Sequence, residues 1–431
     1  MRLASEGSGR MSIPGPDTIF RCQLDNGIIG LARENFSSPS VVILGRLQVG
    51  SLAVPRHQAG LAGFVKEMLM RGTARRDFAT IHETIESVGA SLHFDSDWHS
   101  TSFSGRCLAE DLPLLLDVLA DCLRHPTFLP QQVEKVRGEI MTALEQRDYD
   151  TRRMAVLTFY ETLYEGHPLG ISGLGYRDTI SALAHEDLRA FYERYYRPQG
   201  MIVTLVGAVR AGEAIAALEG VLGDWQAERQ APQVVVAPVV RPTTIRRREV
   251  TIPGKSQADF VLGYVGLPRT HPDHLRARLA DTILGVFGIM GRIGENVRNQ
   301  QGLAYYAYSH LTATFSPGPW MAIAGVHPKN VERAVESILA EMRRLRDELV
   351  PAEEMADNKA FLTGFVPLSL ETNGGVAGNL EAMEAYDLGL DYLQRYPSLI
   401  ESITEQDVQR VAQTYLDPNA YTLAVARPEI D

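Results

Sequence analysis

The chain has 431 residues and little cysteine: Cys22, Cys107 and Cys122 are scattered, odd in number and form no C-x-x-C pair. That pattern excludes a disulfide framework and suits a reducing compartment. No apolar run approaches the roughly 20 residues needed to cross a bilayer, so no membrane segment is expected. Residues 1–18 are rich in Ser, Gly and Pro and lack the apolar core of a secretory signal, so they read as a flexible arm on a cytoplasmic, bacterial protein. Positive charge is the scarcer sign. With 42 Lys and Arg against 53 Asp and Glu, the net charge is −11, which speaks against a general nucleic-acid binder. Gly285-Val286-Phe287-Gly288-Ile289-Met290-Gly291 has glycines but not the spacing of a phosphate loop. There is also no nucleophile elbow.

With 45% apolar and 22% charged residues, the chain can bury a large core. Its length suggests about two to four domains of ordinary size. Alternating apolar patterns predict strands at 18–22, 28–32 and 40–49, the first two joined by the Asp25-Asn26-Gly27 turn. Two more extended segments fall between His93 and Cys107, and others at 201–206, 259–264, 305–314, 320–326 and 420–426. Helical periodicity predicts helices at 78–88, 112–123, 130–147, 154–163, 187–196, 212–222, 275–287, 331–349, 353–362, 388–400 and 405–415. Residues 230–248, with Pro232, Pro238, Pro242 and the run Arg246-Arg247-Arg248, read as a linker. The two sides of it repeat. Tyr176, Ile180, Asp187, Tyr195, Pro198 and Leu205 recur as Tyr396, Ile400, Asp407, Tyr415, Pro418 and Val425 at a constant offset of 220. A gapless register across a helix, a proline and a strand implies a duplicated α+β domain. The expected plan is an arm (1–18), a first domain (19–229), the linker and a homologous second domain (249–431). Each domain has a mostly antiparallel sheet packed with helices, the two facing each other around a chamber.

Chemistry centres on the stretch 60–73. Leu61, Phe64, Val65, Met68 and Leu69 make one apolar helix stripe, and Gly63, Lys66 and Glu67 share the neighbouring face. On their own these three read as a solvated charged face. The frame Gly-Leu-Ala-x-Phe-x-x-x-Met-Leu-x-x-Gly-Thr, however, resembles the pitrilysin/insulinase metallopeptidases of the mitochondrial-processing-peptidase type. In that family the face carries H-x-x-E-H, two zinc-binding His and a Glu that activates water. Here Gly63, Lys66 and Glu67 stand in those places. The resemblance puts Glu139 where the family has its third metal ligand and Gln132 where it has a supporting acid. Two carboxylates alone make a poor zinc site, and a protonated Lys66 is no base for water. The expectation is a degenerate metal site that holds no metal, with the Lys66 ammonium between Glu67 and Glu139 in the place of the zinc charge.

The resemblance extends over nearly the whole chain. Arg298-Asn299-Gln300-Gln301-Gly302-Leu303-Ala304-Tyr305 is similar to the family's R-x-x-x-G-L-A-Y, whose Arg and Tyr grip bound peptide near the zinc. Arg298 offers a fork of donors and Tyr305 a hydroxyl for a developing oxyanion. In two-chain members one subunit bears H-x-x-E-H and the other has lost it. The resemblance therefore implies a non-catalytic, substrate-binding partner of a zinc-bearing sister chain, a heterodimer acting on peptides. Zinc would sit in the sister, and Ser91–Asp97 would be the strand to which peptide adds. Two alternatives stand beside it: a purely structural core-type subunit of a larger complex, and a metallopeptidase active alone through a rearranged site using Glu67, Glu139 and another His. His93, Asp95, Asp97 and His99 share strand parity, and read as a polar solvent face rather than a metal site.

Overall fold

A computed structural model describes residues 13–227 and 231–429. Of the expected arm, residues 1–12 lie outside the described residues; Thr18 closes a turn onto the Gly15 carbonyl at 2.9 Å. Two mixed sheets carry the fold. The first has β1 (Phe20–Gln23), β2 (Ile29–Glu34), β3 (Ser40–Leu47), β4 (Ser91–Ser96), β5 (Thr101–Leu108) and β6 (Ile202–Gly207), in the order β1-β2-β6-β3-β5-β4. The second has β7 (Arg246–Thr251), β8 (Ala258–Val265), β9 (Ala304–Leu311), β10 (Pro319–Val326) and β11 (Thr422–Arg427), in the order β7-β11-β8-β10-β9. Without β1 the two orders match strand for strand. In each sheet one parallel pair, β2 with β6 or β7 with β11, sits among antiparallel neighbours. The offset of 220 also carries helix His185–Tyr195 onto Glu405–Tyr415 and β6 onto β11. The duplication is thus structural, and the chain is an α+β protein of two homologous halves.

The central strands β6, β8 and β10 are buried along their whole length, as expected of strands covered on both faces. One cover is local and the other is exchanged. In the second sheet Phe260, Leu262 and Tyr264 pack on that half's own helices. On the opposite face Val261, Val265, Ile323 and Ala424 meet Ala155, Phe159 and Leu163, from the first-half helix Thr151–Leu163. In the first sheet Val203 and Leu205 face local helices, while Ile202 and Val206 meet Val376, Ala377, Leu380 and Met383 from the second-half helix Asn373–Ala385. Each half thus covers one face of the other's sheet with a helix. Polar contacts reinforce the seam: Arg46 Nε donates to Glu381 Oε1 at 3.0 Å and Arg21 Nη2 to Glu384 Oε1 at 2.7 Å.

Three sequence expectations shift. The basic run read as linker opens β7, where Arg247 pairs with Glu332 and Glu249. Helix Asn373–Ala385 was not expected, because Gly374, Gly375 and Gly378 mask its period; Thr372 caps it, accepting from Gly375 N at 3.0 Å. The set of like parity divides: β4 ends at Ser96, and Asp97 caps the hairpin by accepting from His99 N at 2.6 Å.

Candidate functional site

Helix Leu61–Met68 starts at Gly60, whose φ of +94° and tight approach to Ile180 exclude a side chain. Its buried face of Leu61, Phe64, Val65 and Met68 packs toward helix Pro130–Asp148, and it lies beside β4. Arg137 of the longer helix reaches beneath it, with its guanidinium 5.6 Å from the centre of the Phe64 ring, and donates to the Leu183 carbonyl at 2.7 Å.

The charges on the outer face are paired two by two. Lys66 Nζ donates to Glu67 Oε1 at 2.6 Å, and Arg71 Nη2 donates to Glu139 Oε2 at 2.6 Å. Lys66 does not bridge both carboxylates as expected from sequence. The helix ends at Met68, and the turn after it brings Arg71 back onto Glu139, a partner that sequence spacing did not signal. Gly63 supplies no ligand, and an added Cβ there would lie 3.2 Å from the Gly173 carbonyl oxygen. Among the described residues no three His, Cys, Asp or Glu side chains are disposed to hold a metal ion. The donor set, two carboxylates each neutralised by its own cation, does not fit a catalytic zinc.

The second half presents the opposite condition. Arg298 lies in a π-helical turn, Gly294–Gln300, closed by Gln301 N donating to the Asn296 carbonyl at 3.0 Å. Such wide turns are uncommon and frequent at functional sites. Its side chains lock one another: Asn296 donates to Glu341 at 2.6 Å, and Gln301 donates to Asn296 Oδ1 at 2.7 Å. Glu295, three residues before Arg298, is occupied by Asn299 at 2.8 Å and Gln300 at 3.2 Å. The Arg298 side chain is left exposed, with no hydrogen bond or ion pair to any described residue. Tyr305, 63% exposed, is the second residue of the edge strand β9.

Its neighbours in sequence are tied down instead. Tyr306 donates to the buried Asp259, which also accepts from Thr151 of the exchanged helix. Burial and the Asp259 contact push the Tyr306 phenol well above its usual range. Arg152 donates to the Tyr308 hydroxyl and lies 5.1 Å from the centre of the Tyr306 ring. This network joins the first half to the strand that carries Tyr305. It was not foreseen, because its members are far apart in sequence.

Two family models match: insulinase (peptidase family M16) over residues 32–175, and the peptidase M16 inactive domain over residues 182–362. An uncharacterized zinc protease of Streptomyces coelicolor is 27% identical over 83% of this chain and 78% of its own length. The mitochondrial-processing peptidase subunit beta of Caenorhabditis elegans is 24% identical over 92% of this chain and 87% of its own. The crystal structure of a protease from Helicobacter pylori superposes with a TM-score of 0.90 at 20% identity, covering 97% of this chain and all of that one. That of a peptidase M16 inactive domain from Pseudomonas fluorescens gives 0.88 at 22% identity, covering 96% of this chain and 98% of that one. No helix among the described residues is long and apolar enough to cross a membrane, and the three cysteines are free. With most of both halves matched and the fold shared from end to end, the chain belongs to the insulinase, or M16, family of peptidases.

Proposed function

We propose that this chain is the non-catalytic, substrate-binding subunit of a two-chain zinc metallopeptidase. It lends Arg298 and Tyr305 to the site of a sister subunit that carries H-x-x-E-H and the zinc. One observation carries the reading: the first-half charges are spent on each other, Lys66 on Glu67 and Arg71 on Glu139, whereas Arg298 and Tyr305 are exposed. Burying an exposed, unpaired Arg against a peptide carbonyl or carboxylate gains a charge-assisted bond without breaking an internal one. Among the described residues β4 pairs with β5 alone, which leaves its other edge for an extended peptide by backbone pairing. Peptides are the substrate class, the sister chain is the partner, and the pair works in the cytoplasm.

The test is hydrolysis of unfolded peptides by the lone chain, the lone sister and the two together, with the zinc content of each. The expected outcome is activity in the mixture, with zinc in the sister only. Chelator-sensitive hydrolysis by the lone, pure chain, or stoichiometric zinc bound to it, would overturn the reading.

A further inference from the structure

Helix Thr151–Leu163 has a second face besides the one covering the far sheet. Arg153, Val156, Leu157 and Tyr160 fall at i, i+3, i+4 and i+7 and line a cavity of about 670 Å³. The opposite wall is the segment Leu169–Leu174, and Trp98 closes one end, edge-on to Tyr160 at 5.5 Å between ring centres. The volume falls in the range of small-ligand sites, and the lining has their composition, mostly apolar with a few convergent polar groups.

The charged groups of the lining are three arginines, Arg147, Arg152 and Arg153, and one acid, Asp150. Arg147 is committed: it pairs with Asp148 at 2.9 Å and donates to the Gly175 carbonyl at 3.1 Å, holding the opposite wall. Arg152 is committed to Tyr308. Asp150 caps the helix, accepting from Arg153 N at 2.8 Å. The Arg153 guanidinium lines the cavity without a hydrogen bond or ion pair to any described residue. It stands in the first turn of a 13-residue helix, where the backbone dipole adds positive potential. The wall also leans on the degenerate site, since the Gly173 carbonyl sits 3.2 Å from where a Cβ at position 63 would be.

We propose that this cavity binds the C-terminal residue of a peptide, its carboxylate on Arg153 and an apolar side chain between Val156, Leu157 and Tyr160. Charge complementarity selects a terminal carboxylate, and the apolar walls select Leu- or Phe-like residues over polar ones. The site is distinct from Arg298 and Tyr305 and needs no sister chain, so it stands or falls separately from the function proposed above.

The experiment is fluorescence anisotropy of the full-length chain with an N-terminally labelled hexapeptide ending in Leu. The free acid is compared with its C-terminal amide, and unlabelled decanoate serves as competitor. The free acid should bind saturably, and the amide about tenfold more weakly, the loss expected for one charge-assisted hydrogen bond. Arg153→Gln, at an exposed position, should weaken the acid to the level of the amide. Val156→Trp should fill the cavity and weaken both peptides alike, with the melting temperature reporting that the chain is folded. Equal affinity for acid and amide, indifference to Arg153→Gln, or no peptide binding would each overturn the proposal. Binding of decanoate with none of the peptide would show that the occupant is a free carboxylic acid, and would overturn it as well.

Discussion

The helix at 61–68 in the first half and the wide turn at 294–300 in the second are equally rich in charge, yet they treat it differently. In the first, each cation lies on a carboxylate within 2.6 Å. In the second, Glu295 accepts from Asn299 and Gln300, and the exposed Arg298 side chain has no partner among the described residues. Both stand on the same strand order, so the contrast is local and owes nothing to topology. It teaches that the charges of the 61–68 helix and the turn after it are met within the first half itself. The Arg298 side chain, in contrast, is exposed and without a partner among the described residues.

The comparison breaks most readily at the exchanged helices, because each half relies on the other for one face of its sheet. Phe159, fully buried against the second sheet, should cost about 3–5 kcal/mol when changed to Ala, and Leu380, fully buried against the first, about 2–5 kcal/mol. Urea unfolding measures the loss, and hydrogen exchange locates it. Phe159→Ala should loosen β8 and β11, in the half that does not contain it, and Leu380→Ala should loosen β3 and β6. Loosening confined to the mutated half would mean that the halves are independent.

Acid should separate the halves next. In the second half, burial and then the charge of Arg269 lower the pKa of His274 to about 3, from an ordinary 6.5. Arg269 Nη1 lies 2.6 Å from His274 Nε2, and an Arg can only donate, so the ring is neutral with its proton on Nδ1. The unfolded chain binds a proton here below pH 6.5 and the folded chain does not until about 3. Stability therefore falls as pH falls through that window, by at most about 1.4 kcal/mol per pH unit. In the first half burial raises the pKa of Asp121, but Thr73 at 2.6 Å, Arg76 at 2.7 Å and Arg75 outweigh it and leave it lowered. That contribution is intact above the ordinary carboxylate value of 3.8 and is lost only below it. The second half should loosen first, and His274→Gln should flatten the slope of urea midpoints between neutral pH and about pH 4.5.

At Arg298 the expected effect is on activity alone. Arg298→Ala should lower kcat/KM of the reconstituted pair by about 1.5–3 kcal/mol, or roughly ten- to a hundredfold, as for a lost bond to a charged group. Tyr305→Phe should cost less, since a neutral hydroxyl donor is removed. Because both side chains are exposed, the melting temperature and the sister's zinc should not change. An unchanged rate for Arg298→Ala would refute the lending role.

The fold was legible where burial follows the backbone period. Val41, Ile43 and Leu47 alternate into the core, and helix Glu405–Tyr415 falls where its pattern puts it. It was not legible where pairing or exchange replaces burial. β7 is largely exposed on both faces and is held by its parallel register with β11, which no local pattern reports. The exchange itself is invisible in sequence, because an apolar face looks the same whichever sheet it covers. At the site, the sequence shows Gly63, Lys66 and Glu67 on one helix face. It does not show the partner of Glu139, which depends on where the helix ends and how the chain turns from Leu69 to Arg71.

The smallest expected effect bears on whether the first site retains any chemistry. Glu67 and Glu139 are 44% and 54% exposed, so water screens both pairs and each contributes about 0–1 kcal/mol. Glu139→Gln and Lys66→Ala should therefore move the unfolding free energy by less than about 1 kcal/mol. They should leave hydrolysis by the reconstituted pair within about twofold, because neither residue touches the sister's zinc in the proposed arrangement. The two variants sharpen the contrast with Arg298 because all three side chains carry charge and only that of Arg298 is unpaired among the described residues. A large loss of activity from Glu139→Gln, with folding intact, would show that a paired carboxylate still works there. The difference between the halves would then be one of degree.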